Sequence, residues 1–189
     1  NVQTPFFSNS PVIGGEDEIK EAYYVFSNLN CQEQLFDYEG KEADNFIIKK
    51  LLTKYPDYFF ENILGKNKIL SFRIPNPNIE KTEAKIVIEV LNTIPRYYDT
   101  AIQFYKSNNQ LKHIDTPPVS EVYVPMTCSA LDIARVAKYY EKYVAGVQEN
   151  CLLNKDITIS KWLGKFKPEK IRVTPLFEDL NSMLNVAKI

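Results

Sequence analysis

Apolar residues along this chain fall into short runs and longer stretches at three- and four-residue spacing, two patterns that predict strands alternating with helices. From Glu16 to Leu29 the apolar positions Ile19, Ala22, Tyr23 and Phe26 recur at helical spacing. They follow an acidic first turn, the end at which a helix dipole favours negative charge, so the segment predicts an amphipathic helix. Gln34 to Tyr38 is a short apolar run that predicts a strand, and Asp44 to Tyr55 a helix that Pro56 ends. Ile69 to Arg73 predicts a second strand, followed by the turn Pro75-Asn76-Pro77-Asn78 and a helix from about Glu80 to Thr93. Pro95 then opens a further helical stretch to Lys106. After the turn Asp115-Thr116-Pro117-Pro118, Val122 to Met126 predicts the third strand. Ser129 stands three residues before Asp132, ahead of Ile133, Val136, Ala137 and Tyr140, which predicts a helix with a capping-box start. Ile171 to Phe177 predicts a fourth strand, and Leu180 to Val186 the start of another helix.

Strand followed by helix, four times over, is the pattern of a parallel sheet with helical crossovers. The strands start roughly 35 to 50 residues apart, more than a minimal unit needs, so the connections carry inserted helices. No Gly-x-Gly-x-x-Gly follows the first strand and no phosphate-binding Gly-x-x-x-x-Gly-Lys occurs, which disfavours a nucleotide-binding doubly wound sheet. The remaining parallel architecture is the (β/α)8 barrel, of which four units are half. A half-barrel leaves two strand edges unpaired. The first residue is not Met, and the last helix stops at Lys188-Ile189, so the expectation is a segment of a longer polypeptide. Residues 1–30 are expected to form an arm and a helix, and 31–189 the first half of the barrel domain.

Composition narrows the chemistry. The 189 residues are 44% hydrophobic and 25% charged with net charge −1, ordinary globular values with no basic footprint for nucleic acid or anionic membrane. No apolar run approaches the roughly 18 residues of a membrane span. Cys31, Cys128 and Cys151 are three, widely spaced and outside any Cys-x-x-Cys, which suits a reducing, cytoplasmic compartment. The one histidine, His113, lies in a polar, loop-like stretch, which sets aside His-centred triads and multi-His zinc sites. Chemistry must then run on carboxylates, arginine, lysine and metal.

Catalytic groups of parallel α/β folds gather just past the C-terminal strand ends. That rule selects Asp37, Glu39 and Lys41; Arg73; Thr127; and Glu178 with Asp179. The same residues also suit solvated loops and helix caps. The carboxylates of 36–42 suit Mg²⁺, a hard cation that takes one or two carboxylates and keeps several waters; Glu39-Gly40-Lys41 suits an ion pair in a tight turn equally well. Arg73, before a rigid turn, is placed to clamp an anion.

Glu42 to Tyr55, Phe72-Arg73-Ile74-Pro75-Asn76-Pro77, Ile94-Pro95-Arg96, Val124-Pro125-Met126-Thr127 and Pro175-Leu176-Phe177-Glu178-Asp179 together resemble the archaeal-type phosphoenolpyruvate carboxylases, as does Gly14 to Phe26. The motifs are individually short, but they occur in order over nearly the whole chain. The resemblance implies an activity that converts phosphoenolpyruvate and bicarbonate to oxaloacetate and phosphate, using Mg²⁺ or Mn²⁺. It implies a complete member more than twice this length, beginning with a Thr-Gln-His-Pro-Asp-Asn motif whose final Asn this chain would start on, and a homotetramer. By the resemblance Glu178 matches a metal-binding Glu that ends a barrel strand, with a second metal carboxylate expected downstream. Arg73 corresponds to a catalytic, substrate-binding arginine, on strand context alone. Lys41 as a catalytic cation, Thr127 as a substrate contact and Glu39 as a second metal ligand complete the expected set. Residues 1–189 alone would be inactive. Two alternatives stand beside this: another Mg²⁺-dependent lyase acting on a pyruvate- or enolate-type substrate, such as a citrate-lyase-like enzyme, and a non-catalytic metabolite-binding module.

Overall fold

Four strands run parallel and side by side in the order in which the chain makes them: β1 (Glu33–Asp37), β2 (Ile69–Arg73), β3 (Val119–Val124) and β4 (Arg172–Pro175). They come from a computed structural model, which describes residues 15–38, 44–107 and 116–189. The arm at 1–14, Glu39, Lys41, His113 and Asp115 lie outside the described residues.

Because side chains alternate along a strand, the register sorts the sheet into two unlike faces. Phe36, Phe72, Val122 and Val173 align across all four strands on one face. With Leu70, Ile74 and Val124 they join the core formed with the helices. Asp37, Arg73, Tyr123 and Thr174 align on the opposite face. The register shifts between Leu70 and Ser71, where Ser120 is passed over, so Val119 still faces the core beside Leu70 while Glu121 joins Ser71 on the polar face.

The core face is covered by α1 (Gly15–Ser27), α2 (Ile47–Lys54), α3 (Pro56–Glu61), α4 (Ala84–Ser107) and α5 (Ala130–Tyr139). Helix α1 buries Ile19, Ala22 and Phe26, the stripe that periodicity marked. Pro56 ends α2 as expected and also begins α3, since the first helical position needs no N–H donor. The expected break before Pro95 is absent: α4 is one helix of 24 residues with Pro95 inside it. An internal proline costs a helix about 3 kcal/mol. Ile94, Tyr97 and Tyr98, all buried, each contribute about 1.5–3 kcal/mol when removed from water. Burial therefore outweighs the lost hydrogen bond. Tyr38 and Tyr97 meet at 3.3 Å between hydroxyls, and Tyr97 also donates to the Asp44 carbonyl.

Helix α5 continues as a wider turn through Tyr140–Ala145 and a tight one at Gly146–Glu149. A loop with the short α6 (Ile159–Leu163) then leads to β4, and α7 (Leu180–Leu184) follows it. Gly65, at φ 95°, sits where a Cβ would lie 2.7 Å from the Pro117 carbonyl oxygen, so the approach of 65 to 117 requires glycine. Among the described residues no helix is long and apolar enough to cross a membrane.

Candidate active site at the strand ends

Arg73 is the last residue of β2 and Asp37 the last of β1, and the register sets them opposite each other. Arg73 Nε donates to Asp37 Oδ1 at 3.0 Å and Nη2 donates to Oδ2, a two-point fork on a carboxylate. Both side chains are about one-third exposed, at 31% and 33%. The planar guanidinium has five N–H donors, so the face turned to Asp37 uses two of them and fixes the plane of the rest. The sequence picked out both residues as strand-end groups but gave no sign that they pair.

Beyond β2 the chain turns through Pro75-Asn76-Pro77. Asn76 is wholly buried. Its Nδ2 donates to the carbonyls of Pro125 at 3.0 Å and Met126 at 3.3 Å, and its Oδ1 accepts from Asn78 N at 3.0 Å. The loop after β3 is thereby tied to the loop after β2. Met126 adopts φ 48°, a left-handed conformation uncommon outside glycine, asparagine and aspartate. Next to it Thr127 is fully buried, its hydroxyl donating to the Val124 carbonyl at 2.8 Å and its N–H to the Leu176 carbonyl at 2.9 Å. The one hydroxyl proton of Thr127 is thus spent within the loop.

Asp132 closes this loop from α5. It is 3% exposed. Its Oδ2 accepts from the N–H groups of Cys128 and Ser129 at 3.2 and 3.1 Å, while Asn78 Nδ2 donates to Oδ1. With the Ser129 hydroxyl accepting from Leu131 N, this is the capping box read from the sequence. Desolvation first, and Asp132 second, push the Cys128 thiol up from its ordinary pKa.

Glu178 follows β4, two strands from Arg73, or about 10 Å at ordinary strand spacing. Its side chain is at the surface and its Oε1 accepts from Met126 N at 3.3 Å. The neighbouring Asp179 instead caps α7, accepting from Ser182 N at 2.9 Å; hydrogen bonds from Ser182 hold its carboxyl below the usual range. Two adjacent carboxylates therefore have different work, one closing a helix and one facing solvent. The polar face also carries Glu121, which accepts from the Thr174 hydroxyl and from Arg172 Nη1. Ser71 lies among these groups, fully buried, and its hydroxyl has no partner among the described residues.

Arg73 and Glu178 thus stand at the C-terminal ends of one sheet, and Thr127 lies in the loop between them with its side chain turned inward. Glu39 and Lys41 lie outside the described residues. Sequence reasoning passed over Asn76; its signal was an asparagine locked between two prolines directly after a strand.

The family profile described as "Phosphoenolpyruvate carboxylase" matches residues 1–189. A protein of that name from Methanothermobacter thermautotrophicus is 50% identical over 189 residues, covering all of this chain and 38% of the relative. The Pyrococcus furiosus protein of the same name is 47% identical over the same length and share. That of Halobacterium salinarum is 43% identical over 184 residues, 97% of this chain and 37% of the relative. The chain spans 38% of the length of the first two relatives, and with a profile match along its whole length it belongs to the phosphoenolpyruvate carboxylase family.

Proposed function

We propose that the protein to which these residues belong carboxylates phosphoenolpyruvate with bicarbonate, releasing oxaloacetate and phosphate. The observation that carries the reading is the coincidence of family membership with Arg73 and Glu178 at the C-terminal ends of one parallel sheet, where such folds do their chemistry. On this reading the four strands, laid down in sequence order, are the first half of a (β/α)8 barrel, with the polar face turned inward. Phosphoenolpyruvate and bicarbonate are the substrates, and the protein is a cytoplasmic homotetramer.

The donor chemistry fits a divalent cation such as Mg²⁺ or Mn²⁺. Glu178 offers an accessible carboxylate, and Mg²⁺ needs only one or two with water and substrate oxygens completing its shell. Among the described residues no group of three or more His, Cys, Asp or Glu side chains forms a ready-made site. Glu39 remains a proposed second ligand, and a downstream carboxylate another. When bound, the cation supplies positive charge to the transferring phosphoryl group and to the enolate oxygen.

The chain's own residues do the rest. Arg73, its plane fixed by Asp37, donates N–H groups to phosphate or carboxylate oxygens of the substrate and opposes the charge that builds during phosphoryl transfer. Lys41 is proposed to add a second positive charge beside it. Thr127 serves the substrate pocket by fixing the 125–128 loop. Asp37 holds Arg73 in place through its two-point fork.

The test is bicarbonate-dependent phosphate release, with oxaloacetate measured in the same reaction, by the full-length protein. Arg73→Ala is expected to lower kcat by about 10²–10³-fold, the usual loss for one preorganised donor. Arg73→Lys restores little, because an ammonium does not reproduce the fork. Residues 1–189 alone are expected to give no turnover. Phosphate release that ignores bicarbonate would sink the reading, as would full activity in Arg73→Ala.

A further inference from the structure

Asn76 commits both donors of its side chain and uses its acceptor. Both hydrogens of Nδ2 go to carbonyl oxygens, Pro125 at 3.0 Å and Met126 at 3.3 Å, and Oδ1 accepts from Asn78 N. Its own N–H donates to Glu80 Oε2 at 2.7 Å. An asparagine with no exposure that spans to carbonyls 49 and 50 residues away orders two loops at once.

The carbonyl of Pro125 and the N–H of Met126 belong to one peptide group. A trans peptide is planar, with its C=O and N–H pointing in opposite directions. Whatever holds the Pro125 oxygen on one side therefore aims the Met126 hydrogen on the other. That hydrogen is the one Glu178 Oε1 accepts, at 3.3 Å. The second bond, to the Met126 carbonyl, fixes the next peptide plane and so holds residue 126 at φ 48°. Thr127 N and Leu176 N tie the same loop to the β4 exit, each at 2.9 Å. The peptide between 125 and 126 has little freedom to choose another direction.

We propose that Asn76 is a positioning residue that, through the 125–126 peptide plane, sets the orientation of the Glu178 carboxylate and thereby the affinity of a divalent-cation site. The proposal rests on the reading of Glu178 as a metal carboxylate. Asn76 also lies three residues beyond Arg73, so the same side chain fixes the spacing between the arginine's loop and the carboxylate's loop. Removing the amide lets the peptide plane turn, and Glu178 loses the donor that steers one of its two oxygens.

The experiment is Mn²⁺ titration of the full-length protein, followed by the electron paramagnetic resonance of free Mn²⁺, so no turnover is required. Glu178→Gln is expected to weaken Mn²⁺ binding at least tenfold. Asn76→Ala is expected to weaken it by about 10- to 100-fold, the usual effect of losing a group that orients a metal ligand. Asn76→Ser, uncharged and too short to bridge both carbonyls, is expected to do the same, and it serves where the alanine variant does not fold. In the Glu178→Gln background, Asn76→Ala should add less than twofold, because both changes act through one group. Val136→Ala, a core truncation on α5, lowers thermal stability and leaves Mn²⁺ affinity alone. Unchanged Mn²⁺ affinity in folded Asn76 variants, with Glu178→Gln weakened, overturns this proposal alone, as does an equal penalty in both backgrounds. Unchanged binding in Glu178→Gln overturns the metal reading, and the proposal with it.

Discussion

Replacing Asp132 by alanine removes the one carboxylate that holds the start of α5 and the loop before it together. Oδ2 accepts from Cys128 N and Ser129 N, and Oδ1 from Asn78. The residue is 3% exposed, so water reaches the vacated donors poorly. Loss of a cap at a helix start costs about 1 kcal/mol. Stranding a part-buried backbone N–H adds about 1–2 kcal/mol. Asn78 is exposed and turns to water, so it adds little. The sum is about 2–3 kcal/mol. Ser129→Ala, which removes a single acceptor for Leu131 N at 3.1 Å, is expected to cost only about 0.5–1 kcal/mol.

The assay is urea unfolding of both variants beside the unaltered protein, followed by far-ultraviolet circular dichroism with m held common. Asp132→Asn keeps one acceptor but sets an amide against a donor, and should fall between the two. An Asp132→Ala loss no larger than that of Ser129→Ala would refute the reasoning. It would mean that the Cys128 and Ser129 amides find water or another acceptor, and that the box contributes nothing beyond its serine.

Two further outcomes follow from buried polar groups. Burial pushes the Tyr105 hydroxyl up to about 12, and raises Tyr38, Tyr97 and Tyr140 for the same first cause. A folded pKa above the unfolded one, near 10, contributes stability that is whole below pH 10 and lost as pH rises toward 12. For Tyr105 that loss is on the order of 2–3 kcal/mol; urea midpoints against pH should show it, and Tyr105→Phe should begin less stable and lose less over that interval. Ser71 has a buried hydroxyl without a partner among the described residues, so Ser71→Ala should leave stability unchanged or raise it by up to about 1 kcal/mol; a loss above about 1 kcal/mol in urea unfolding would show that the hydroxyl is satisfied.

The sheet was legible because each strand overlaps a short apolar run, although β3 begins three residues before the run at 122–126 and β4 stops two residues short of Phe177. Ile69–Arg73 was placed to the residue, and Ser129 with Asp132 announced the start of α5. Pro95 misled because a proline reads locally as a break, whereas the apolar surface on both sides of it favours one continuous helix. Helix α6, five residues long with none buried, left no periodic trace. In the site, single residues were legible and their connections were not. Arg73 ends a strand and Glu178 follows one, and so they announce themselves. The pairing of Arg73 with Asp37 spans 36 residues, and that of Asn76 with Pro125 spans 49. No local pattern encodes a partner at that distance.

Stability alone does not account for the polar face of the sheet. Arg73 and Asp37, each about one-third exposed, form the sort of pair worth about 0–1 kcal/mol. Glu121 with Arg172 is no stronger a case, since that arginine is 76% exposed. Apolar residues on the core face, such as Phe72 and Val122, contribute about 1.5–3 kcal/mol each when fully buried. A chain selected only for a stable sheet would gain more from valine or isoleucine at these positions. Two neighbouring strands instead end in a matched acid and base, and the strand two places on is followed by a carboxylate steered by a backbone amide. The pairs hold charge in fixed directions at little gain in folding free energy, which supports the strand ends as the candidate site.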